Sequence, residues 1–597
     1  MKKTIKVMML GLRGNLKYVF SYVIIVLSIT CISIGSTMIQ KEIINTAERD
    51  LVTGVLSKRF VVGCIVFSIM LFLVNASKFL HTYVHNLVQQ NIEIKLKKCL
   101  MFSSYKTPHD EFYKTDFQKK YSFVCKNMQN ISRYILSVLN TVFNHGVSIV
   151  TISVIFLLYV PELFVYMITI AVIYAVTYIY TSKKKYNMSK EQIGYQREAD
   201  YYSDVLMKKE HAKEIRLYGV QHAFVDMWKS IYQKLFRERY KLANKNNRLT
   251  MLTEYVSFFC QAGVMFLLVY KCYIRAINLG EFVLLFGLLE KCKVNILFVV
   301  NNIIAGTYEV SLYMNDYADF VFPISKEADK QIQECRIGEE TRFFGEFQHM
   351  SIENISYKYP NGDKEAVHEV SFNINKGEIV YILGYNGSGK TTLVKLLSGI
   401  LTPQNGLLKI NDVDCSLCKK EDLFQYYGIA FQDFPRYSLS VHDTVGIGKI
   451  ERLNNEQEII DAYNRTGLNH VIENKSLSYE VILGKEYDAE GIDLSGGEWQ
   501  QVILTQAHMG KPDILVFDEP TASLDPIEEM KILENLRLQI EDRTAILISH
   551  RIGFARIADR IVVLDDGRLV EQGSHDELLS RKGIYYKMFT TLQELYV

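Results

Sequence analysis

The 597-residue sequence predicts two domains of different class: an all-α domain whose helices cross a membrane, followed by an α/β domain on a mostly parallel sheet. Three observations carry this prediction. The first 320 residues hold 12 of the 34 glycines and two of the nine prolines, so a long-helix half precedes a turn-rich half. Uncharged apolar runs of bilayer length recur in the first half. In the second half the periodicity shortens, and β-rich runs at Ile379 to Leu383, Ile514 to Phe517, Thr544 to Ser549 and Ile561 to Leu564 interleave with helical segments. A formal net charge of +2 gives no reason to expect nucleic acid as a partner. The ten cysteines form no dense framework and read as reduced thiols. Cys415-Ser-Leu-Cys418 has the spacing of a redox or zinc pair, yet no second pair lies near it, and a polar surface turn is expected.

Met1 to Lys17 carries five Lys or Arg residues and suits a helix at the cytoplasmic interface. Tyr18 to Ile39 then contains no charge, and its 22 residues cover about 33 Å, enough to cross a bilayer. The run is too long for the apolar core of a cleaved signal peptide. Phe60 to Ser77 is a second uncharged run, and Cys64 to Thr107 is free of Gly and Pro. As one helix that stretch extends roughly 65 Å, about twice the hydrocarbon thickness, so its second half stands in water. There Leu80, Val84, Leu87, Val88 and Ile92 keep an apolar stripe that suits packing against a partner helix. Asp110 to Arg133 is polar and helix-compatible, Tyr134 to Val160 is apolar, Pro161-Glu162 makes a tight turn, and Leu163 to Ser182 crosses back. A second excursion, free of Gly and Pro from Val220 to Ala262, ends in the apolar run Tyr255 to Tyr270, and Glu281 to Ile304 is the last candidate span. The result is six spans paired by two long polar excursions. Ten Lys or Arg residues between Lys78 and Arg133, against none from Tyr159 to Glu162, place the excursions and both termini in the cytoplasm.

The sixth span carries Glu290, Lys291 and Lys293 near its middle, where charge is costly unless it faces water, a partner or a substrate. Three readings stay open. Glu290 and Lys293 pair at i,i+3 and serve packing, the helix starts later than Glu281, or the three line a cavity with Asn295, Asn301 and Asn302 and meet a polar or charged cargo. Ser325 to Arg342 is polar and charged and suits a linker, which divides the chain into 1–322, 323–345 and 346–597.

The second domain is organised around Gly384-Tyr-Asn-Gly-Ser-Gly-Lys-Thr391, which follows an apolar strand and opens a segment with helical spacing through Leu393, Leu396 and Leu397. Its glycines let the backbone curl its N–H groups around a polyphosphate, and the helix start adds partial positive charge. Lys390 can reach the β- and γ-phosphates, and the Thr391 hydroxyl can ligate Mg²⁺. Downstream, Ile514-Leu-Val-Phe-Asp-Glu519 is a buried strand ending in two carboxylates, one suited to the metal shell and one to positioning a water.

Between them lies Leu494-Ser-Gly-Gly-Glu498, and the motifs now stand in a known order: Tyr359, the phosphate loop, Gln432 in Phe-Gln-Asp, this signature, Asp518-Glu519, Ser523-Leu-Asp525 and His550. Over nearly its full length the chain resembles an ABC transporter, a half-transporter of the exporter type whose six-helix membrane domain is fused ahead of a P-loop ATPase domain. The resemblance implies ATP and Mg²⁺ as cofactors and assigns the residues. Tyr359 stacks on the adenine; Gly384, Asn386, Gly387, Ser388, Gly389, Lys390, Thr391 and Thr392 hold the phosphates. Thr391, Gln432 and Asp518 complete the Mg²⁺ shell, Glu519 is the base or water-positioning residue, and His550 contacts the γ-phosphate. Ser495, Gly496 and Gly497 bind ATP held by the opposite subunit, so a dimer is implied. With Glu519, His550 and the signature intact, a homodimer is favoured over a heterodimer.

The resemblance further implies that the two excursions dock on the ATPase domains near Thr107 to Thr115 and Tyr201 to Glu210, with Lys213 to Gly219 following the second. It places a multi-pass protein in the bacterial cytoplasmic membrane, its ATPase domain in the cytoplasm. Phe431-Gln-Asp-Phe434 with Tyr437, and Glu498-Trp-Gln-Gln501, are similar to exporters of lantibiotics and other ribosomal peptides, so the expected cargo is a peptide. A lipid or multidrug extruder and an exporter-fold importer are the alternatives. No cysteine-protease domain precedes the first span, so a leader-cleaving type is not expected. One departure stands out: where the family usually has Ala-Arg-Ala after the signature helix begins, this chain has Gln506-Ala507 without the Arg.

Overall fold

The computed structural model describes residues 2–322, 345–360, 362–475, 477–519, 540, 543–549 and 552–595. Of the expected linker, all but Gly345 lies outside them. The described chain divides into two compact units, one holding residues 2–106 and 119–322, the other residues 107–118 and those from 345 onward.

The first half of the chain forms α1 (Lys2–Leu12), α2 (Leu16–Thr53), α3 (Lys58–Lys106), α4 (His109–Phe112), α5 (Thr115–Lys126), α6 (Met128–Asn140), α7 (Val147–Tyr159), α8 (Glu162–Met207), α9 (Ala212–Tyr218), α10 (Gln221–Tyr273), α11 (Leu279–Val299) and α12 (Gly306–Val321). Single π-helical turns, Thr141–Gly146 and Val300–Ala305, join α6 to α7 and α11 to α12. Among the described residues five stretches are long and apolar enough to cross a membrane: Leu16–Thr53, Lys58–Lys106, Met128–Tyr159, Glu162–Met207 and Gln221–Tyr273. The sixth, α11, falls outside this set because it is dense in charge, with Glu281, Glu290, Lys291 and Lys293 among its 21 residues. Local signals set the boundaries. Gly54 ends α2 at a left-handed φ of 66°, α8 starts directly after Pro161, and Asn278 with Glu281 forms a capping box on α11. As expected of a stretch without breakers, α3 runs on for 49 residues, about 73 Å. Its apolar stripe turns inward at Val88, Ile92 and Leu96, which are fully buried against Val7, Tyr22, Ile135 and Tyr317.

The charges of α11 find partners on neighbouring helices. Lys293 Nζ lies 2.9 Å from Glu254 of α10, Gln261 of α10 donates to Glu290, and Lys291 donates to the Ser33 carbonyl of α2 at 3.0 Å. The i,i+3 pair considered above is therefore not formed, because α10 brings a carboxylate to Lys293 and an amide to Glu290. Asn295 donates to Ser148 at 2.7 Å and faces His145 Nδ1 at 2.7 Å, while Asn302 donates to Thr141 at 3.0 Å, so the polar residues beside one π-turn hold the other.

In the second unit β1 (His349–Tyr357), β2 (Val367–Asn375), β3 (Ile379–Gly384), β4 (Asn405–Ile410), β5 (Val413–Asp414), β6 (Tyr427–Ala430), β7 (Ile514–Asp518), β8 (Thr544–Ile548), β9 (Arg560–Asp565) and β10 (Arg568–Gly573) form two sheets. The six-stranded one runs β10-β9-β3-β8-β7-β6, parallel except for the β9–β10 hairpin. The other, β2-β1-β4-β5, is antiparallel and was not legible beforehand. Alternate residues of the parallel strands serve two cores. Val380, Ile382, Val516 and Ile546 face the antiparallel sheet and α13 (Lys390–Leu397). Tyr381, Leu515, Phe517 and Leu547 face α14 (Gly496–His508) and the last helices. Cys415 opens a short turn capped by Asp414, as expected of a turn, but both cysteines are half-buried thiols packed on the first core, and burial pushes Cys415 up to about 12.

Candidate functional site

Strand β3 delivers the chain into a loop that only glycine permits. A Cβ on Gly384 would fall 2.4 Å from the Leu564 carbonyl, and one on Gly389 would fall 2.2 Å from that of Ala366. Gly387 and Gly389 hold left-handed φ values of 84° and 96°. Around Gly387 there is open space, whereas Ser388 and Lys390 are 4% and 6% exposed, so the loop is a lined cradle at the start of α13. Lys390 folds back on it, donating to the Gly384 and Tyr385 carbonyls at 2.9 Å each. Burial lowers its pKa, with Glu519 and Asp518 pulling the other way. The Ser388 hydroxyl is buried with no hydrogen-bond partner in the protein.

Strand β7 brings Asp518 to the same place. It is 2% exposed, and neither carboxylate oxygen has a hydrogen-bond partner. Burial pushes its carboxyl up to about 6, Glu519 and Asp433 add to the rise, and Thr391 and Lys390 oppose it. A buried carboxylate with two unpartnered oxygens beside a threonine hydroxyl is a donor set suited to a hard cation such as Mg²⁺. Glu519 follows in a left-handed conformation, φ 51°, its N–H donating to Ile548 at 2.8 Å. Gln432 Nε2 donates to Glu519 Oε2 at 2.7 Å, so Gln432, Lys390, Asp518 and Glu519 gather at one loop. Tyr359 joins through its hydroxyl, 3.2 Å from Thr392 Oγ1.

The signature forms the N-terminus of α14. Ser495 accepts from the Glu498 N–H at 3.3 Å and donates its own N–H to Glu498 Oε2 at 2.7 Å. Burial alone would raise the Glu498 carboxyl, but Lys475 at 2.8 Å and Ser495 outweigh it and hold it below the usual range. Among the described hydrogen bonds none joins Ser495, Gly496 or Gly497 to the phosphate loop. His550 and Ser523 to Asp525 lie outside the described residues. Two contributors escaped the sequence reading. Gln500 of α14 donates to the Glu519 carbonyl at 3.2 Å, and Asp433 acts on Asp518 through charge. Both sit inside stretches quoted above for other reasons, Phe431 to Phe434 and Glu498 to Gln501.

Comparison with known proteins gives two family matches, the ABC transporter transmembrane region over residues 19–290 and the ABC transporter domain over residues 367–522. The subtilin transport ATP-binding protein of Bacillus subtilis is 25% identical over 84% of this chain and 80% of its own. The nisin transport ATP-binding protein of Lactococcus lactis is 27% identical over 72% and 70%. A beta-(1→2)glucan export ATP-binding/permease protein of Bartonella bacilliformis is 31% identical, over only 40% of this chain and 39% of its own. Among solved structures, a bacterial Atm1-family ABC exporter with ATP bound shares the fold, with a TM-score of 0.77 at 21% identity over 97% of this chain and 98% of that one.

Proposed function

This chain belongs to the ABC transporter family, an exporter with its membrane region and ATPase domain in one polypeptide, and from that premise we propose that two copies together move a peptide across the bacterial cytoplasmic membrane. Its transport is coupled to ATP hydrolysis, with the ATPase domain on the cytoplasmic side. One observation carries the residue roles: the buried, unpartnered Asp518 carboxylate stands against a glycine cradle, with Glu519 next in sequence. In this reading the N–H groups of Gly387 to Lys390 receive the phosphates. Lys390 exchanges two carbonyl partners for charged phosphate oxygens, which make the stronger hydrogen bonds. Thr391, Gln432 and Asp518 would hold Mg²⁺, which neutralises charge on the phosphates when bound. Glu519 takes up or orients the attacking water, and the Gln432 amide holds its carboxylate in place beforehand. Tyr359 meets the base, and His550 the γ-phosphate. Ser495 and Gly497 would close on ATP held by the other copy, and that closure would alternate access to the membrane cavity.

Support for a peptide comes from where the likeness extends. The relatives matched through most of their length, membrane region included, are named for the transport of subtilin and nisin, in keeping with the resemblance of Phe431–Phe434 and Glu498–Gln501 to lantibiotic exporters, whereas the glucan exporter matches over less than half. Turnover of the protein in lipid, wild type against Glu519→Gln, with and without a lantibiotic-type peptide, tests the proposal. We expect the variant to lose on the order of 10²- to 10⁴-fold and the peptide to shift the wild-type rate. A rate that answers to lipids and ignores peptides would overturn the cargo, and an inactive wild type would overturn the pairing of identical copies.

A further inference from the structure

The segment Thr107–Gln118 comes between two stretches of the helical unit in sequence yet packs with the ATPase unit. Two side chains anchor it. The Tyr357 hydroxyl, on a residue only 1% exposed, donates to Asp110 Oδ1 at 2.8 Å. Tyr113 packs against the core between the two sheets and meets the Tyr359 ring edgewise, centroids 5.1 Å apart at 74°. Tyr359 has two further restraints, the Tyr357 ring at 5.1 Å and 89° and the hydroxyl contact to Thr392 of α13. The ring assigned to the nucleotide base is thus fixed by three neighbours, and one of them arrives from the connection between α3 and α5.

We propose that Tyr113 is a positioning residue for the nucleotide base, holding the Tyr359 ring in the orientation on which a purine stacks. The inference rests on the reading of Tyr359 as the base platform. An unrestrained tyrosine would lose rotamer freedom on stacking, whereas a ring already held loses less, so its restraint appears as affinity. The worth of one aromatic pair corresponds to roughly a two- to tenfold change in binding. Stacking on a ring face tolerates different bases, so ATP and GTP should weaken alike. The coupling is reciprocal: nucleotide that steadies Tyr359 also steadies Thr107–Gln118.

The test is steady-state turnover of the full-length protein in lipid for wild type, Tyr113→Ala, Tyr113→Leu and Tyr113→Phe, with tripolyphosphate as a competitor that lacks a base. Tyr113→Leu keeps apolar bulk in case the alanine variant does not fold. KM for ATP and GTP should rise roughly two- to tenfold in the Ala and Leu variants, with the loss on KM rather than kcat. Phe should restore the wild-type value, and inhibition by tripolyphosphate should not move. An unchanged KM in the Ala and Leu variants overturns the proposal, as does a parallel weakening of tripolyphosphate or a failure of Phe to rescue. Tyr359→Ala runs beside them. If it leaves KM unchanged, the base-platform reading falls; if it raises KM while the Tyr113 variants do not, only the present inference falls.

Discussion

Asp518 is held at neutral pH in a state its surroundings disfavour. Burial pushes its carboxyl from 3.8 up to about 6, so the folded chain binds that proton more tightly than the unfolded chain does. A raised folded-state pKa gives stability that is present below the unfolded value and lost as pH rises through the folded one. The loss here is about 3 kcal/mol by neutral pH. With metal chelated, Asp518→Asn should come closest to wild type in thermal unfolding below pH 4, gain on it as pH rises from about 4 to 6, and hold a constant lead above that. Mg²⁺ with nucleotide should narrow that gap by stabilising only the wild type, while the variant loses turnover. Parallel pH profiles for the two proteins would show that the carboxyl is not strained. Asp518 and the loop glycines were legible beforehand because a strand-terminal carboxylate and glycine spacing are local patterns. Asp433, Gln500 and the contact of Tyr113 with Tyr359 were not, since only the folded chain brings these residues to their partners.

Among the elements, α14 links the signature to the hydrolytic residues, and its far end is clamped by glycines. A Cβ on Gly428 of β6 would fall 1.8 Å from the Ala507 carbonyl, and one on Gly448 would fall 2.2 Å from that of Gln506. Gln506 and Ala507 are the pair that lacks the family's Arg, so the helix backbone here sits on glycine surfaces. Gly428→Ala must push α14 away, at about 1–3 kcal/mol for overpacking. Because α14 also carries Gln500 onto the Glu519 carbonyl, turnover should fall along with the unfolding temperature. Unchanged turnover in a destabilised variant would show that the helix end and the site are independent. The long helices were legible from the absence of breakers, and the parallel strands from apolar runs. The antiparallel sheet was missed because β1 alternates only in part and its register shifts between Ile352 and Ile355. The π-turns escaped because one widened turn barely disturbs a 3.6-residue pattern.

For the whole molecule, the decisive feature is how the proposed dimer would assemble each hydrolytic site. Ser495 to Gly497 share no described hydrogen bond with Gly384 to Thr391, so under the proposed dimer each hydrolytic site takes its loop from one copy and its signature from the other. That arrangement makes complementation between two dead variants possible. Lys390→Ala disables the loop and leaves the signature; Gly497→Asp disables the signature and leaves the loop. Each alone should be inactive, since both sites of its homodimer contain a defect. In a mixed dimer one site combines both defects, but the other joins an intact loop to an intact signature. Co-expressed with different affinity tags and purified through both, the pair should therefore recover turnover that neither variant shows. If one chain sufficed for hydrolysis, each variant would carry its own lesion into every assembly and the mixed preparation would stay silent. Adding Glu519→Gln to the Gly497→Asp copy should abolish the recovered activity, because that copy supplies the loop and base of the surviving site. Adding it to the Lys390→Ala copy should leave that site untouched, and this asymmetry separates a shared site from any general rescue of folding by co-expression.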